Sequence, residues 1–537
     1  MLKAVTPTTT YCAELPQESV CRLEYVDRAQ RMFIEQKARK FKWTAEQSRQ
    51  ALLPYTKRLY QKIDKPPFHY AVRTGSLLYC GIPVEIAFPV PELKKERSYI
   101  RDFPYTLYPY QVESVQRLLQ ARHGHVEMAT GCGKSLIACE LVRRSGLSAC
   151  IVVPGKENCH ALYNLFSTYF GSDSVGMYGD GRKDVRKSIT ICIAKALTTT
   201  VTKEAQNHFR FKQILIVDES HTWASATLST LCHGLFAYVP YRMFLSATQV
   251  RNTDEDPLLH SIIGPCAYKL TTKEALDADY IDDHEFLIYE RIPAVMSKDE
   301  EKKLHELRRN SPMHIRQHTY LMNSHIAYII ARDVLVAASR HQASMILVDQ
   351  VEQIGLLVKY LAAGCVSQSL QVADLLLCIH GEKNKERLLR LGISEYGQNA
   401  IWRTTSAMVD AFNKGERLIM IATSCVQTGA SFFTPHYCYN WVGGGMANNI
   451  RTCQGSVGRS VRKWESNPYK GEAIMNGIAP KTKTTIVDFD VDDAQMRKHL
   501  KKRIEYYKMS GTAIRYTSSM VEGKQVVVVP PRIPDTN

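Results

Sequence analysis

The run Ala129-Thr130-Gly131-Cys132-Gly133-Lys134-Ser135 holds the residue types needed to grip a chain of phosphates. Closely spaced glycines let consecutive backbone N–H groups turn inward on an anion, and a helix starting directly after them adds its positive N-terminal end. Lys134 is placed to reach the β- and γ-phosphates of a nucleoside triphosphate, and Ser135 to put its hydroxyl on Mg²⁺. The residue five positions before Gly133 is Met128 rather than glycine, so the motif reads as a short x-T-G-x-G-K-S form. A plain glycine-rich turn is the competing reading. It leaves unexplained why strand-like VEM, a lysine, a hydroxyl and helix-like LIACELV follow one another in this order.

A second cluster, Ile214-Leu215-Ile216-Val217-Asp218-Glu219-Ser220-His221, puts two acids at the end of an apolar strand, about 80 residues downstream. Open α/β sheets present their ligand sites at strand ends. Asp218 is the candidate for holding Mg²⁺, directly or through water, and Glu219 for polarising the attacking water. Acids capping the next helix are the bland alternative. Ser246-Ala247-Thr248 closes the strand-like RMFLSAT, where hydroxyls would link hydrolysis to domain movement. Gln454-Gly455-Ser456-Val457-Gly458-Arg459-Ser460-Val461-Arg462 spaces two arginines three apart, on one face if the run is helical. Arg462 is then the candidate to neutralise charge on the transferred phosphoryl group, with Arg459 in support and Gln454 contacting the γ-phosphate or the acid motif. A solvated basic helix competes with that reading. Before the phosphate loop, Tyr108-Pro109-Tyr110-Gln111 offers Gln111 to an adenine edge and Tyr108 or Tyr110 as a stacking ring, against a plain turn with a buried tyrosine.

These residues have to be carried by a scaffold of short strands. From about residue 107, helical stretches alternate with the apolar runs VEMAT, ACIVVP, ITICIA, QILIVDES and RMFLSAT. After a long helical stretch the series resumes with SMILVD, LLLCIH, RLIMIATS, YCYNWV and TTIVDFD. Runs that are continuously apolar rather than alternating suit parallel sheets covered on both faces. The expected class is therefore α/β, with two doubly wound lobes in tandem. Residues 1–95 read as a separate α+β accessory module, with nucleic-acid binding as one role for its basic stretch Arg28–Arg58. Residues 96–270 form the first lobe and 271–495 the second, and 496–537 a basic helix and tail.

Composition narrows the partners. Lys and Arg number 69 against 53 Asp and Glu, a formal charge of +16, which favours a polyanion over an acidic protein or a neutral ligand. Fifteen cysteines without a Cys-x-x-Cys pair predict reduced, buried thiols and neither a disulfide nor a structural metal. The N-terminus lacks the apolar run of a signal peptide, and no uninterrupted apolar stretch approaches the roughly 20 residues of a membrane helix. The expectation is an intracellular soluble protein without a membrane partner.

Taken in order, the aromatic-Gln motif at 108–111, ATGCGKS, IVVP, DESH, SAT, SMILVDQVEQ, IATSCVQTGASF and QGSVGRSVR resemble the motif series of superfamily 2 helicases, over roughly residues 107–490. His221 after the acid pair and Gln454 opening the last motif look like the DExH type. The layout is similar to the phage UvsW helicases, with LTTKEALDADYIDDHEFLIYERIP, the IHGEKNKE region and IVDFD before RKHLKKRIEYYKMSG as the suggestive pieces; ERLLRLGISEYGQNAIWRTTS adds length to that pattern. The resemblance implies two RecA-like lobes, ATP and Mg²⁺ as cofactors, and ATP-driven translocation, unwinding or branch migration of DNA, branched or junction DNA in particular. It also implies the cytoplasm of a bacterial host, if the chain is of phage origin. Thr423, Thr428 and Gly429 match the motif that contacts the nucleic-acid backbone and senses ATP, Thr198 and Thr199 hold a strand-contact position, and His221, Ser246 and Thr248 couple the lobes. An RNA helicase and a non-unwinding translocase acting in transcription are the alternatives.

Overall fold

The computed structural model describes residues 2–15, 24–26, 28–93, 106–129, 131–199, 201–220, 225–246, 257–294, 315–367, 371–396, 404–423, 426, 431–443, 462–509 and 511–518. It divides into two compact units, Met1–Met128 with Gly133–Leu270, and Ala129–Cys132 with Thr271–Asn537.

The first unit opens with β1 (Leu2–Thr6), β2 (Thr9–Cys12), α1 (Arg28–Phe41), α2 (Ala45–Leu52), β3 (Tyr60–Lys65), β4 (Phe68–Arg73), α3 (Thr74–Tyr79) and β5 (Glu85–Ile86). The strands form a small sheet ordered β3-β4-β2-β1-β5. Then come α4 (Pro109–Ala121), β6 (His123–Met128), α5 (Lys134–Ser145), β7 (Ala149–Val153), α6 (Lys156–Phe170), β8 (Val175–Gly179), β9 (Arg182–Lys183), β10 (Ile189–Ile193), α7 (Ala194–Thr199), α8 (Lys203–Arg210), β11 (Ile214–Asp218), β12 (Tyr241–Ser246) and β13 (Cys266–Leu270). Their sheet runs β9-β8-β10-β7-β11-β12-β6-β13, parallel except for the β8–β9 hairpin. Both faces are covered. Cys150, Val152, Leu215 and Val217 point into one core, while their neighbours Ile151, Ile214 and Ile216 are equally buried on the other side. That two-sided burial is why Ala149–Val153 and Ile214–Val217 are apolar at successive positions.

The N-terminal residues read as a separate module, but the structure seats them on the first lobe. Cys12, Leu59, Val72 and Leu77 share one hydrophobic cluster with Phe236, Leu259, Ile262 and Ile263. Tyr79 stacks on His260 at 4.0 Å, and Arg73 donates to Ser229 at 3.1 Å. A Cβ on Gly75 would lie 2.1 Å from the Ser261 carbonyl oxygen, so α3 approaches the Pro257–Ile263 helix as only glycine permits. The physical reason is size: a five-stranded sheet of this length buries too little apolar area alone and borrows a face.

The second unit contains β14 (Asp283–Ile292), α9 (Ser324–Ser339), β15 (Ala343–Val348), α10 (Val351–Ser367), β16 (Leu376–Ile379), α11 (Thr405–Asn413), β17 (Ile419–Ala422), β18 (Pro435–Trp441), β19 (Lys483–Val491), α12 (Ala494–Met509) and β20 (Ile514–Ser518). Its sheet is parallel throughout, ordered β16-β17-β15-β18-β19-β14-β20. Residues alternate between two cores, Ile346 and Val348 facing α9 and α10, Met345 and Leu347 facing α11 and α12. Among the described residues, Gln317–Ser339 is the one helical run long and apolar enough to cross a membrane. It packs instead as a core layer, through Ile326, Ile330 and Val334.

Helix α12 is rich in lysine and arginine and is not simply a basic extension. Arg503 is buried and forms a double hydrogen bond to Asp488 of β19, at 2.7 and 2.9 Å. Tyr507 and Tyr320 donate to the same carboxylate, and Arg503 also donates to the Gly443 carbonyl at 2.7 Å. Every partner in this network is satisfied by another, which is the condition for burying charge at tolerable cost.

Candidate active site

The glycine-rich loop between β6 and α5 takes its geometry from two glycines. Gly131 has φ +105° and Gly133 has φ +69°, both in the region that favours glycine. Gly133 is the residue before α5, so the helix begins at Lys134 with its first N–H groups open toward the loop. The Lys134 ammonium donates to the Met128 carbonyl at 3.4 Å, folding back across the loop, and Ser135 is exposed in the first turn.

Ladder register brings the acid pair to the same edge of the sheet. Asp218 ends β11 opposite Leu245 of β12, and Ser246 ends β12 opposite Glu127 of β6, one residue from the last of that strand. Two strand spacings, about 10 Å, therefore separate Asp218 from the base of the loop. Glu219 follows with φ +48°, a left-handed conformation unusual for a residue with a side chain. It bends the chain sharply off the strand and leaves the acid at the sheet edge. Ser246 is buried.

Gln111 supplies a link that its sequence reading does not contain. Its amide oxygen accepts from the Tyr108 N–H at 2.9 Å and so caps α4, whose first residue is Pro109. Its amide nitrogen points at the loop, where a Cβ on Gly133 would meet it at 2.5 Å. Tyr108 and Tyr110 stack at 5.7 Å, with Tyr110 buried and Tyr108 exposed. Of the two rings, only Tyr108 offers a face to a ligand.

Thr198 and Thr199 close α7, which follows β10 at the same edge. Both are exposed, and their hydroxyls donate to the Lys195 carbonyl at 3.0 and 2.8 Å. In the second unit, Asp349, His380 and Thr423 follow the C-terminal ends of β15, β16 and β17. They open on a cleft of about 650 Å³, lined also by Gln317, Gln350 and Arg387. The Thr423 N–H donates to the Ile379 carbonyl at 3.0 Å, and Arg387 is held between Glu352 and Glu382. Gln350 and His380 fall within the SMILVDQVEQ and IHGEKNKE runs but carry no role of their own there, and Arg387, on the short helix Lys385–Arg390, has no sequence signal that sets it apart.

Arg462 lies in irregular chain just before a short turn at Trp464–Ser466, not on a helix. The reason is visible at its carbonyl, which accepts from Lys481 Nζ at 2.7 Å instead of from a helical N–H. Residues Ala129–Cys132 group with the second unit, and within it a Cβ on Gly131 would come 3.0 Å from Ile281 and 3.8 Å from an Arg462 guanidinium nitrogen. Thr130, His221, Thr248, Thr428, Gly429, Gln454 and Arg459 lie outside the described residues.

The fold is that of two RecA-like α/β lobes in tandem, with a glycine-rich loop between β6 and α5. Residues 104–251 match the family described as the type III restriction enzyme, res subunit. The DNA 3'-5' translocase XPB2 of Sulfurisphaera tokodaii is 28% identical over 225 residues, 41% of this chain and 48% of that protein. The chain spans about half the length, or less, of the curated relatives it matches. Among solved structures, T4 UvsW aligns over 96% of this chain and 99% of its own, at 14% identity and a TM-score of 0.36. The ATP-dependent Type ISP restriction-modification enzyme LlaBIII bound to DNA aligns over 79% of this chain and 32% of its own, at 12% identity and a TM-score of 0.52.

Proposed function

We propose that this protein is an ATP-dependent DNA helicase or translocase. The observation that carries the reading is the convergence of Lys134 and Ser135, after β6, with Asp218, which ends β11, and Glu219, which follows it, at the C-terminal ends of parallel strands of one sheet. Lys134 leaves the Met128 carbonyl for the β- and γ-phosphates, while loop N–H groups from Thr130 to Ser135 wrap them. Mg²⁺ fits the donor set, because a hydroxyl and one carboxylate are what this cation takes from protein when phosphates complete its shell. Ser135 and Asp218 would hold it, and it would supply charge neutralisation at the phosphates. Glu219 orients and polarises the attacking water, Arg462 neutralises charge on the transferred group with help from Arg459, and Gln454 and Gly429 complete the nucleotide contacts. His221, Ser246 and Thr248 pass the change to the nucleic-acid contacts, which are Thr198, Thr199, Thr423 and Thr428.

DNA is the proposed track because the chain carries +16 and because the curated relative is named as a DNA translocase. The N-terminal α1 adds a surface for it. Met32, Phe33 and Phe41 are exposed among Arg31, Lys37, Arg39, Lys40 and Lys42, and Lys37 sits 4.5 Å over the Phe33 ring. Exposed rings interleaved with cations suit stacking on bases and contact with phosphates.

The test is ATP turnover titrated with duplex, forked and four-way DNA and with single-stranded RNA, using the parent, Lys134→Ala and Glu219→Gln. Turnover stimulated best by branched DNA, falling at least 100-fold in both variants while DNA binding persists, is the expected result. Near-parent turnover in either variant would defeat the assignment, and stimulation by RNA alone would redirect the substrate.

A further inference from the structure

We propose that Lys481 and Asp282 are positioning residues that fix the main chain at Arg462. The inference rests on the reading of Arg462 as the phosphoryl-neutralising arginine. Lys481 has a fully buried side chain, and its ammonium has two anchors: the Asp282 carboxylate at 3.0 Å and the Arg462 carbonyl at 2.7 Å. The ladder explains why these residues meet. Asp283 of β14 pairs with Lys483 of β19, so Asp282 and Lys481, just before those two strands, emerge side by side.

Burying an ammonium and a carboxylate is costly before their attraction is counted, and a well-packed apolar pair commonly holds a sheet edge as well or better. What an apolar pair lacks is a directed donor. Here the donor is aimed at the carbonyl of the residue whose side chain the chemistry needs. The following residues are tied to the same segment. Lys463 pairs with Asp279 at 2.7 Å, and the Trp464 N–H bonds the Asp282 carboxylate. Residues 462–464 are thus held at three consecutive positions, Arg462 by Lys481 and the next two by Asp279 and Asp282, which precede β14. A guanidinium on a long side chain gains from such a base, because a fixed backbone removes much of the freedom that would blunt its aim.

The experiment measures nucleic-acid-stimulated ATP turnover in the full chain for four variants: Arg462→Ala, Asp282→Asn with Lys481→Met, Asp282→Asn with Lys481→Gln, and the Met pair on the Arg462→Ala background. Both pair variants remove the charges together, so neither strands a buried ion, and thermal melting checks that each is folded. The Met pair is expected to lower kcat at least 10-fold with KM for ATP within about twofold. The Gln pair, which keeps a donor toward the Arg462 carbonyl, is expected to recover most of that loss. On the Arg462→Ala background the Met pair is expected to change kcat no further. A purely structural ion pair would make the Met and Gln variants alike, and that result, or parent kcat in a folded Met pair, overturns the proposal. Parent kcat in Arg462→Ala overturns the arginine reading itself, and with it this one. Should the Met pair fail to fold, the Gln pair decides alone: kcat near that of Arg462→Ala overturns the clamp.

Discussion

Gly133 shows how little room this glycine-rich loop leaves for variation. It stands at φ +69° and faces the Gln111 amide nitrogen, which cannot simply swing away because the same amide caps α4 and is buried. Gly133→Ala therefore combines left-handed strain with displacement of a capping side chain, and about 1–3 kcal/mol of stability is expected to be lost. Denaturant unfolding would read that loss, and the KM for ATP is expected to rise along with it. A variant with parent stability and parent KM would show that Gln111 is not fixed by its cap. At Glu219, the φ of +48° makes Gln the right probe. Glu219→Gln keeps the Cβ and the backbone strain, so lost turnover reports on the carboxylate rather than on a relaxed loop.

At the level of elements, α12 is held by its charges as much as by its apolar face. Asp488→Ala would leave the Arg503 guanidinium buried without its carboxylate and take acceptors from Tyr507 and Tyr320. A loss of about 3–5 kcal/mol in urea unfolding is expected. A loss under about 1 kcal/mol would mean that α12 repacks freely. The exposed helix α1 calls for a different measurement. Replacing Lys37, Lys40 and Lys42 by glutamate should leave stability nearly unchanged but flatten the salt dependence of DNA affinity, by about 0.9 in log–log slope for each phosphate that the helix no longer neutralises. An unchanged slope would assign this surface to something other than a polyanion. Substitution is preferable to deletion, since removing the N-terminal strands would strip Leu59, Val72 and Leu77 from the first lobe's core.

Over the whole molecule, buried imidazoles set an acid limit. Burial pushes His123 down to about 3, with the Arg242 guanidinium adding to the effect. Burial likewise takes His284 to about 4, and His436 to about 4 with the Lys481 ammonium contributing. Each is neutral when folded and takes a proton more readily when unfolded, at its ordinary value near 6.5. The unfolded chain therefore binds more protons between about pH 6.5 and 4, and stability is expected to fall as pH drops through that window. Melting temperature measured from about pH 7.5 to 4 should decline below about 6.5, and the decline should lessen in a His284→Gln variant. A flat profile would show that these rings are hydrated in the native state.

The two-lobe plan was legible because both sheets bury both faces. The strands from VEMAT to TTIVDFD carry short apolar runs, and those runs reappear within β6, β7, β10, β11, β12, β15, β16, β17, β18 and β19. The strands β8 and β14 were not legible, since glycine and charged residues break their apolar runs. The backbone of the glycine-rich loop was legible for a related reason: the positive φ of Gly131 and Gly133 and the helix start at Lys134 depend on immediate neighbours, so a seven-residue string carries that geometry. Tertiary structure alone decided which residues meet across the sheets. Lys481 meets Asp282 only through the pairing of β14 with β19, and Arg503 meets Asp488 only because α12 folds back on that sheet. The N-terminal strands join the first lobe through a core whose members lie far apart along the chain, as Cys12 and Val72 do from Leu259 and Ile262. A local pattern records which residues one element must bury or expose; it does not record which distant element will supply the partner.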